Sequence, residues 1–204
     1  INGKPVKSIN QYYNKKKSQL QSQLKNRKAR QTSNRIQKLT LKRNNKIKDY
    51  FHKATSYIVN QLVSDSINTV IIGQNKDWKQ DINIGKVNNQ NFTGIPHDRL
   101  WKMIMYKAAR EGIRIMEQEE SYTSKADITA MDFIPIYGRE NGNVEFSGRR
   151  IKRGLYACSA GYSVNADCNG AANILRKAVP DAWEGTEDFR FLAIPETAGF
   201  KDLQ

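Results

Sequence analysis

A long apolar stripe constrains this chain more than any other feature. Ile47, Phe51, Ala54, Ile58 and Leu62 recur at three- and four-residue spacing, which puts them on one face of a helix predicted from about Asn34 to Val63. Thr32 and Ser33 stand just ahead of it as candidate N-caps. The stripe occupies the second half of this helix, while Lys38, Lys42, Arg43, Lys46 and Lys48 crowd the first. The segment before it, Ser8 to about Lys28, also reads as a helix and carries Lys15, Lys16, Lys17, Lys25, Arg27 and Lys28. Two such segments in succession predict an antiparallel hairpin with a cationic side. No Asp or Glu within residues 1–48 balances that side. It reads equally as a track for a phosphate backbone or as a solvated charged face. The whole chain has 34 Lys and Arg against 20 Asp and Glu, a net charge of +14, so a polyanionic partner is expected, nucleic acid first.

The remainder alternates. Thr69-Val70-Ile71-Ile72, ending at Gly73, is a β-branched run bounded by polar residues and predicts a buried strand. Residues 74–95, rich in Asn, Gln, Gly and Lys, predict a long loop. Pro96 opens a helix lined by Leu100, Ile104 and Ala108 and closed by Gly112. Ile113 to Met116 predicts a second strand. Strand, helix and strand in that order imply a crossover unit of an α/β sheet. Residues 126–164 read as irregular or β-rich, with a basic cluster GRRIKRGLY at 148–156. A last helix follows Asp167 and stops at Pro180, and the tail beyond it has no period and is expected to be partly disordered. The opening INGKPVKS reads as an extended segment entered mid-sequence, with an N-terminal part expected to be missing. The two cysteines, Cys158 and Cys168, form no CxxC pair and build no disulfide framework. No apolar run approaches the ~20 residues needed to cross a membrane. The cysteine usage fits a reducing cytosol.

Two acidic positions stand out chemically. Glu120 follows a strand end and precedes YTSK. Asp167 opens a helix of small residues in NADCNGAANI. Sites in α/β sheets lie beyond strand ends, and an acid at a helix start gains from the helix dipole. Phosphodiester hydrolysis draws on such carboxylates because Mg²⁺ prefers oxygen ligands. The competing readings are a surface acid within the run Glu117–Glu120 and a plain N-cap at Asp167. Aromatic residues beside basic ones at Tyr122–Lys125 and Lys152–Tyr156 suit base stacking plus phosphate contact.

Several strings together carry a resemblance: SINQYYNKKK, KIKDYFHKAT, YKAAREGI, ESYTSK, GRRIKRGLY and NADCNGAANILRKAVP. From about residue 4 to 180 the chain resembles the TnpB (OrfB) family of transposon-encoded proteins, to which the miniature type V CRISPR effectors are related. The resemblance implies an α/β, RNase H-like (RuvC) fold, here incomplete, with a long basic helical hairpin and an irregular, β-rich insert. It implies an entry and hairpin over 1–65, strands and a helix over 66–125, an insert over 126–164, a final helix over 165–180 and a tail over 181–204.

The activity implied is RNA-guided cleavage of a DNA target by acids binding two Mg²⁺ ions, with a guide RNA as partner. The family's D-x-N-A-A-x-N-I motif matches Asp167, Asn169, Ala171 or Ala172, and Asn173, which makes Asp167 the leading catalytic and metal-binding candidate. The family's first Asp lies on a strand before this chain begins, so the 204 residues are expected to be inactive alone. The family's middle Glu ends the strand where Gly73 stands here. Glu120 is the natural substitute, with Glu119 as fallback. The family's zinc-ribbon cysteine pairs are missing, so no zinc is expected. Lys15, Lys16, Lys17, Lys42, Arg43, Lys125, Arg149, Arg150, Lys152 and Arg153 are the expected nucleic-acid contacts. The rival reading is a catalytically degenerate DNA- or RNA-binding transposition accessory or regulatory protein.

Overall fold

The computed structural model describes residues 1–26, 32–74, 95–138, 144–199 and 201–203. They divide into two compact units. One comprises Ile1–Asn68, Trp78–Ile113 and Thr197–Gln204, the other Thr69–Asp77 and Arg114–Glu196.

The first unit is helical. Helix α1 spans Lys4–Asn26 and α2 spans Asn34–Ser64. The start of α1 corrects the expected extended entry. Pro5 sits in its first turn, where a missing N–H costs nothing, and the Asn2 side chain accepts the Lys4 N–H at 3.0 Å. Ser33 caps α2, its hydroxyl accepting the Ile36 N–H. The helices run antiparallel. Tyr13 bonds Thr40 at 3.1 Å, and Arg43 donates to Asn10 at 2.8 Å, so positions advance on one helix as they retreat on the other.

The stripe packs as expected through Ile47, Phe51 and Ala54. Val59 is buried, whereas Ile58 and Leu62 are half-buried. Helix α3, His97–Arg110, adds Met103 to this core, and Val6, Tyr50 and Leu203 complete it. The Lys107 ammonium donates to the His52 carbonyl (2.7 Å), Thr55 (2.8 Å) and Ser56 (2.7 Å), fixing α3 on α2. Leu203 in this core corrects the expected disordered tail. Gln74, the first residue of the expected loop 74–95, closes the strand Thr69–Gln74, and residues 27–31 and 75–94 lie outside the described residues.

The second unit is built on two strands. β1, Thr69–Gln74, and β2, Arg114–Glu119, pair in parallel, Thr69 opposite Arg114 and Gln74 opposite Glu119. The strands pair in parallel as expected, but α3, the helix between them in sequence, packs on α2 in the first unit. β2 runs three residues past Met116. Helix α4, Ala166–Ala178, packs on both strands. A separate antiparallel sheet joins β3 (Arg149–Lys152), β4 (Leu155–Ala157) and β5 (Ser163–Asn165). The β3–β4 turn uses Gly154 at φ +79°, a region that favours glycine. The tail of this unit is also packed: Phe189 is buried with Ile128 and Ala172, and the Trp183 indole N–H donates to the Ala172 carbonyl at 3.0 Å. The chain is thus mixed α and β.

Candidate functional site

Gly73 fixes the geometry at the end of β1. A Cβ there would lie 2.7 Å from Ile174 Cδ1 and 3.1 Å from Glu120 Cβ, and would collide with the Glu120 carboxylate. The Glu120 carboxylate therefore fills the space that a side chain at position 73 would take. Beyond Glu120 the chain turns sharply. Thr123 donates to the Glu120 carbonyl through its N–H (3.3 Å) and hydroxyl (2.8 Å), and Tyr122 takes φ +64°. Burial, and then the neighbouring Glu119 charge, raise the Glu120 carboxyl above the usual range. It is half-buried and forms none of the five ion pairs seen among the described residues.

Glu119 is engaged differently. Its carboxylate pairs closely with the Lys177 ammonium and accepts the Ser121 N–H at 2.7 Å. Burial alone would raise its pKa, yet the Lys177 and Ser121 hydrogen bonds hold it below the usual range.

Asp167 lies in the first turn of α4 with its side chain 88% exposed. It is not the cap. The Asn165 side chain is, accepting the Asp167 N–H at 2.9 Å and the Cys168 N–H at 3.1 Å. Asp167 is thus free of a capping duty and lies at the positive end of the helix. Arg150 on β3 approaches it at 3.7 Å. Asp167 and Ile174 are seven residues apart, so they share a face of α4 about two turns, or ~10 Å, apart. Glu120 lies beside Ile174, on that same face. Asp167 and Glu120 offer only oxygen donors, the kind that suits a hard divalent cation. Among the described residues, no group of three or more His, Cys, Asp or Glu side chains is gathered to hold a metal ion.

The motif's asparagines have a role that sequence reading missed. Asn169 and Asn173, both fully buried, sit one turn apart on α4. Asn169 donates to the Ala126 carbonyl (2.8 Å) and accepts the Ile128 N–H (3.2 Å). Asn173 donates to the carbonyls of Thr123 (3.1 Å) and Ala126 (2.8 Å). They dock segment 123–128 on the helix. Their four-residue spacing was the available signal.

The insert is cross-linked by two carboxylates. Asp127, fully buried, accepts the N–H and hydroxyl of Thr129 and the N–H of Ser159 at 2.6–2.9 Å. Burial opposes its charge, but these bonds keep its pKa low. Asp132 accepts the N–H groups of Asp127 and Ser147 and the Ser147 hydroxyl. Cys158 is buried beside them, its thiol pushed up to about 11 by burial and the Asp127 charge.

The cationic candidates fall in two places. In the helical unit, Lys15, Lys16 and Lys42 are exposed, and Lys17 lies 5.7 Å over the Tyr13 ring. Lys16 and Lys42 line a groove of about 520 Å³ between α1 and α2, together with Tyr12, Arg35 and Lys38. Arg43 has a structural duty as well, since it bonds Asn10 and stacks over Tyr13 at 5.5 Å. In the second unit, Arg149, Arg150 and Lys152 stand exposed along β3, with Arg153 next in the turn, and Lys125 lies 5.7 Å over the Tyr122 ring.

Two family profiles match this chain. Residues 1–79 match the OrfB/IS605 family described as a probable transposase, and residues 97–174 match the Cas12f1-like TNB domain. The first part of the chain is thus similar to OrfB/IS605 proteins and the second to Cas12f1-like proteins, each profile matching less than half of the chain. The chain is 32% identical over 131 residues to the CRISPR-associated endodeoxyribonuclease Cas12f1 of Sulfoacidibacillus thermotolerans, a match that covers 64% of this chain and 26% of the relative. It is 26% identical over 131 residues to the TnpB-like protein ORF457 of Acidianus two-tailed virus, covering 63% of this chain and 24% of that protein. The chain therefore spans about a quarter of the length of these curated relatives. A cryo-EM structure of a Cas12f1–sgRNA–target DNA complex shares its fold, with a TM-score of 0.50 at 20% identity, over 80% of this chain and 40% of that one. No helix among the described residues is long and apolar enough to cross a membrane.

Proposed function

We propose that this chain is the RuvC-like, RNase H-fold part of a metal-dependent, RNA-guided DNA endonuclease, with Glu120 and Asp167 as its acid ligands. One observation carries the reading. The Glu120 carboxylate occupies the space above Gly73, at the strand end where the family resemblance calls for an acid. An acid delivered from the neighbouring strand stands where a side chain of β1 would have stood. Asp167, exposed and relieved of capping by Asn165, is the second oxygen donor. Mg²⁺ bound there would activate water and stabilise a leaving oxygen. Two ions are expected in the whole site. The chain's own contribution is to hold one carboxylate half-buried and one at a helix start, on a common face of α4.

Lys15, Lys16, Lys17 and Lys42 of the hairpin would follow a nucleic-acid backbone, with Arg43 holding the hairpin's register beside them. Lys125, Arg149, Arg150, Lys152 and Arg153 would do the same along the insert. Such contacts read backbone and shape and leave sequence to base pairing between guide RNA and target DNA.

The test uses the protein encoded by the intact reading frame, supplied with its guide RNA and a DNA target. Asp167→Ala and Glu120→Ala each abolish Mg²⁺-dependent cleavage while salt-dependent nucleic-acid binding persists. Undiminished cleavage by either variant rejects that residue's role. Binding without any metal-dependent product from the unmodified protein would favour the rival, a non-cleaving DNA- or RNA-binding factor.

A further inference from the structure

Glu119 and Glu120 are adjacent, and both reach the same face of α4. Glu120 lies against Ile174, while Glu119 reaches Lys177, three residues and about one turn further on. Two neighbouring carboxylates on one helix face are chemically equivalent candidates for the same cation. What separates them is Lys177. Its side chain is only 8% exposed, and its ammonium has three oxygen partners: the Glu119 carboxylate, the Ser121 carbonyl at 3.2 Å and the Pro135 carbonyl at 3.0 Å. The Ser121 N–H holds the other Glu119 oxygen, so both oxygens of that carboxylate are engaged.

We propose that Lys177 is a positioning residue: it sequesters Glu119 and leaves Glu120 as the sole acid of the pair that faces a metal ion. This rests on the reading of Glu120 and Asp167 as metal ligands. A buried ammonium with an ion-pair partner and two backbone carbonyls is held in one geometry, as a solvated surface lysine is not. The same three bonds tie the turn after β2 to the insert at Pro135. Lys177 thereby anchors the Glu119 side chain and the Ser121 backbone, one on either side of Glu120.

The test is Mn²⁺ binding to the protein encoded by the intact reading frame, followed by electron paramagnetic resonance of free Mn²⁺. Glu120→Gln weakens binding about tenfold or more, whereas Glu119→Gln leaves it within about twofold. Adding Lys177→Met to Glu120→Gln releases Glu119 and restores part of the lost affinity. Adding Glu119→Gln as a third change removes that gain, a pattern that general loosening of the fold does not produce. If Glu120→Gln leaves Mn²⁺ binding unchanged, the site reading itself fails. If Glu120→Gln weakens binding and Glu119→Gln weakens it equally, the proposal for Lys177 is overturned. It is likewise overturned if the Lys177→Met, Glu120→Gln protein keeps its circular dichroism and recovers nothing. Glu119→Gln is nearly isosteric and exposed enough to fold, so it decides the matter even where Lys177→Met does not fold.

Discussion

The helical unit and the strand unit bury different chemistry. The first closes over Ile47, Phe51, Ala54 and Met103, with Asn10 and Thr55 as its buried polar side chains among the described residues. The second has Asp127, Asn169 and Asn173 at its centre, all fully buried, with Thr123 nearly so. The cause is the backbone. Helices α1, α2 and α3 satisfy their own N–H and C=O groups, so their contacts can be apolar. The segment from Ser121 to Pro135 has no ladder or helix of its own. Its carbonyls at Thr123, Ala126, Asp132 and Pro135 are satisfied by side chains of α4: Asn173, Asn169, Arg176 and Lys177. Irregular backbone near a candidate site is thus stabilised by polar side chains projecting from a regular helix.

The contrast predicts different failures. Phe51→Ala removes the largest apolar side chain of the first core and should cost about 3–5 kcal/mol, read from the midpoint of urea unfolding followed by helical circular dichroism. That loss should be nearly independent of pH. In the second unit, Asp127→Ala strands the N–H groups of Ser159 and Thr129 and should cost about 2–4 kcal/mol. Its pH dependence has a defined sign. The folded pKa of Asp127 lies below its unfolded value near ~3.9, so its stabilisation is complete above about pH 4 and is lost as pH falls through the depressed value. Unfolding midpoints of Asp127→Asn and the parent chain should therefore converge only in acid. Equal differences at pH 3 and pH 7 would break the assignment. The smallest effect has the opposite direction. Glu120 has a raised pKa, so its ionised form opposes folding as pH rises past the unfolded value near ~4.3. Glu120→Gln should raise stability at pH 7 by about 0.5–2 kcal/mol, visible as a higher melting temperature. A melting temperature lowered by Glu120→Gln would mean that this carboxylate is a structural one.

Much of this was legible before any coordinates. The stripe from Ile47 and the cap at Ser33 located α2 to within a residue of its C-terminal end, because helix period and capping chemistry are local. The parallel pairing of β1 and β2 followed from Thr69–Ile72 and Ile113–Met116 with a helix between them in sequence. Non-local chemistry was hidden. β2 extends through the polar Glu117, Gln118 and Glu119 because β1 offers partners as far as Gln74, and no property of those residues alone announces a strand. Asn165 rather than Asp167 caps α4; both side chains can cap, and only the turn geometry distinguishes them. Asp127 and Lys177 were passed over because their partners lie 32 and 58 residues away, at Ser159 and Glu119. The choice of Glu120 over Glu119 could not be argued from the run Glu117–Glu120, in which the four positions look alike apart from Gln118.

The missing Cβ at Gly73 makes positions 73 and 120 tenants of one volume. A side chain at 73 would have to turn the Glu120 carboxylate and the tip of Ile174 aside, so the effect of a substitution at 73 should depend on which residue stands at 120.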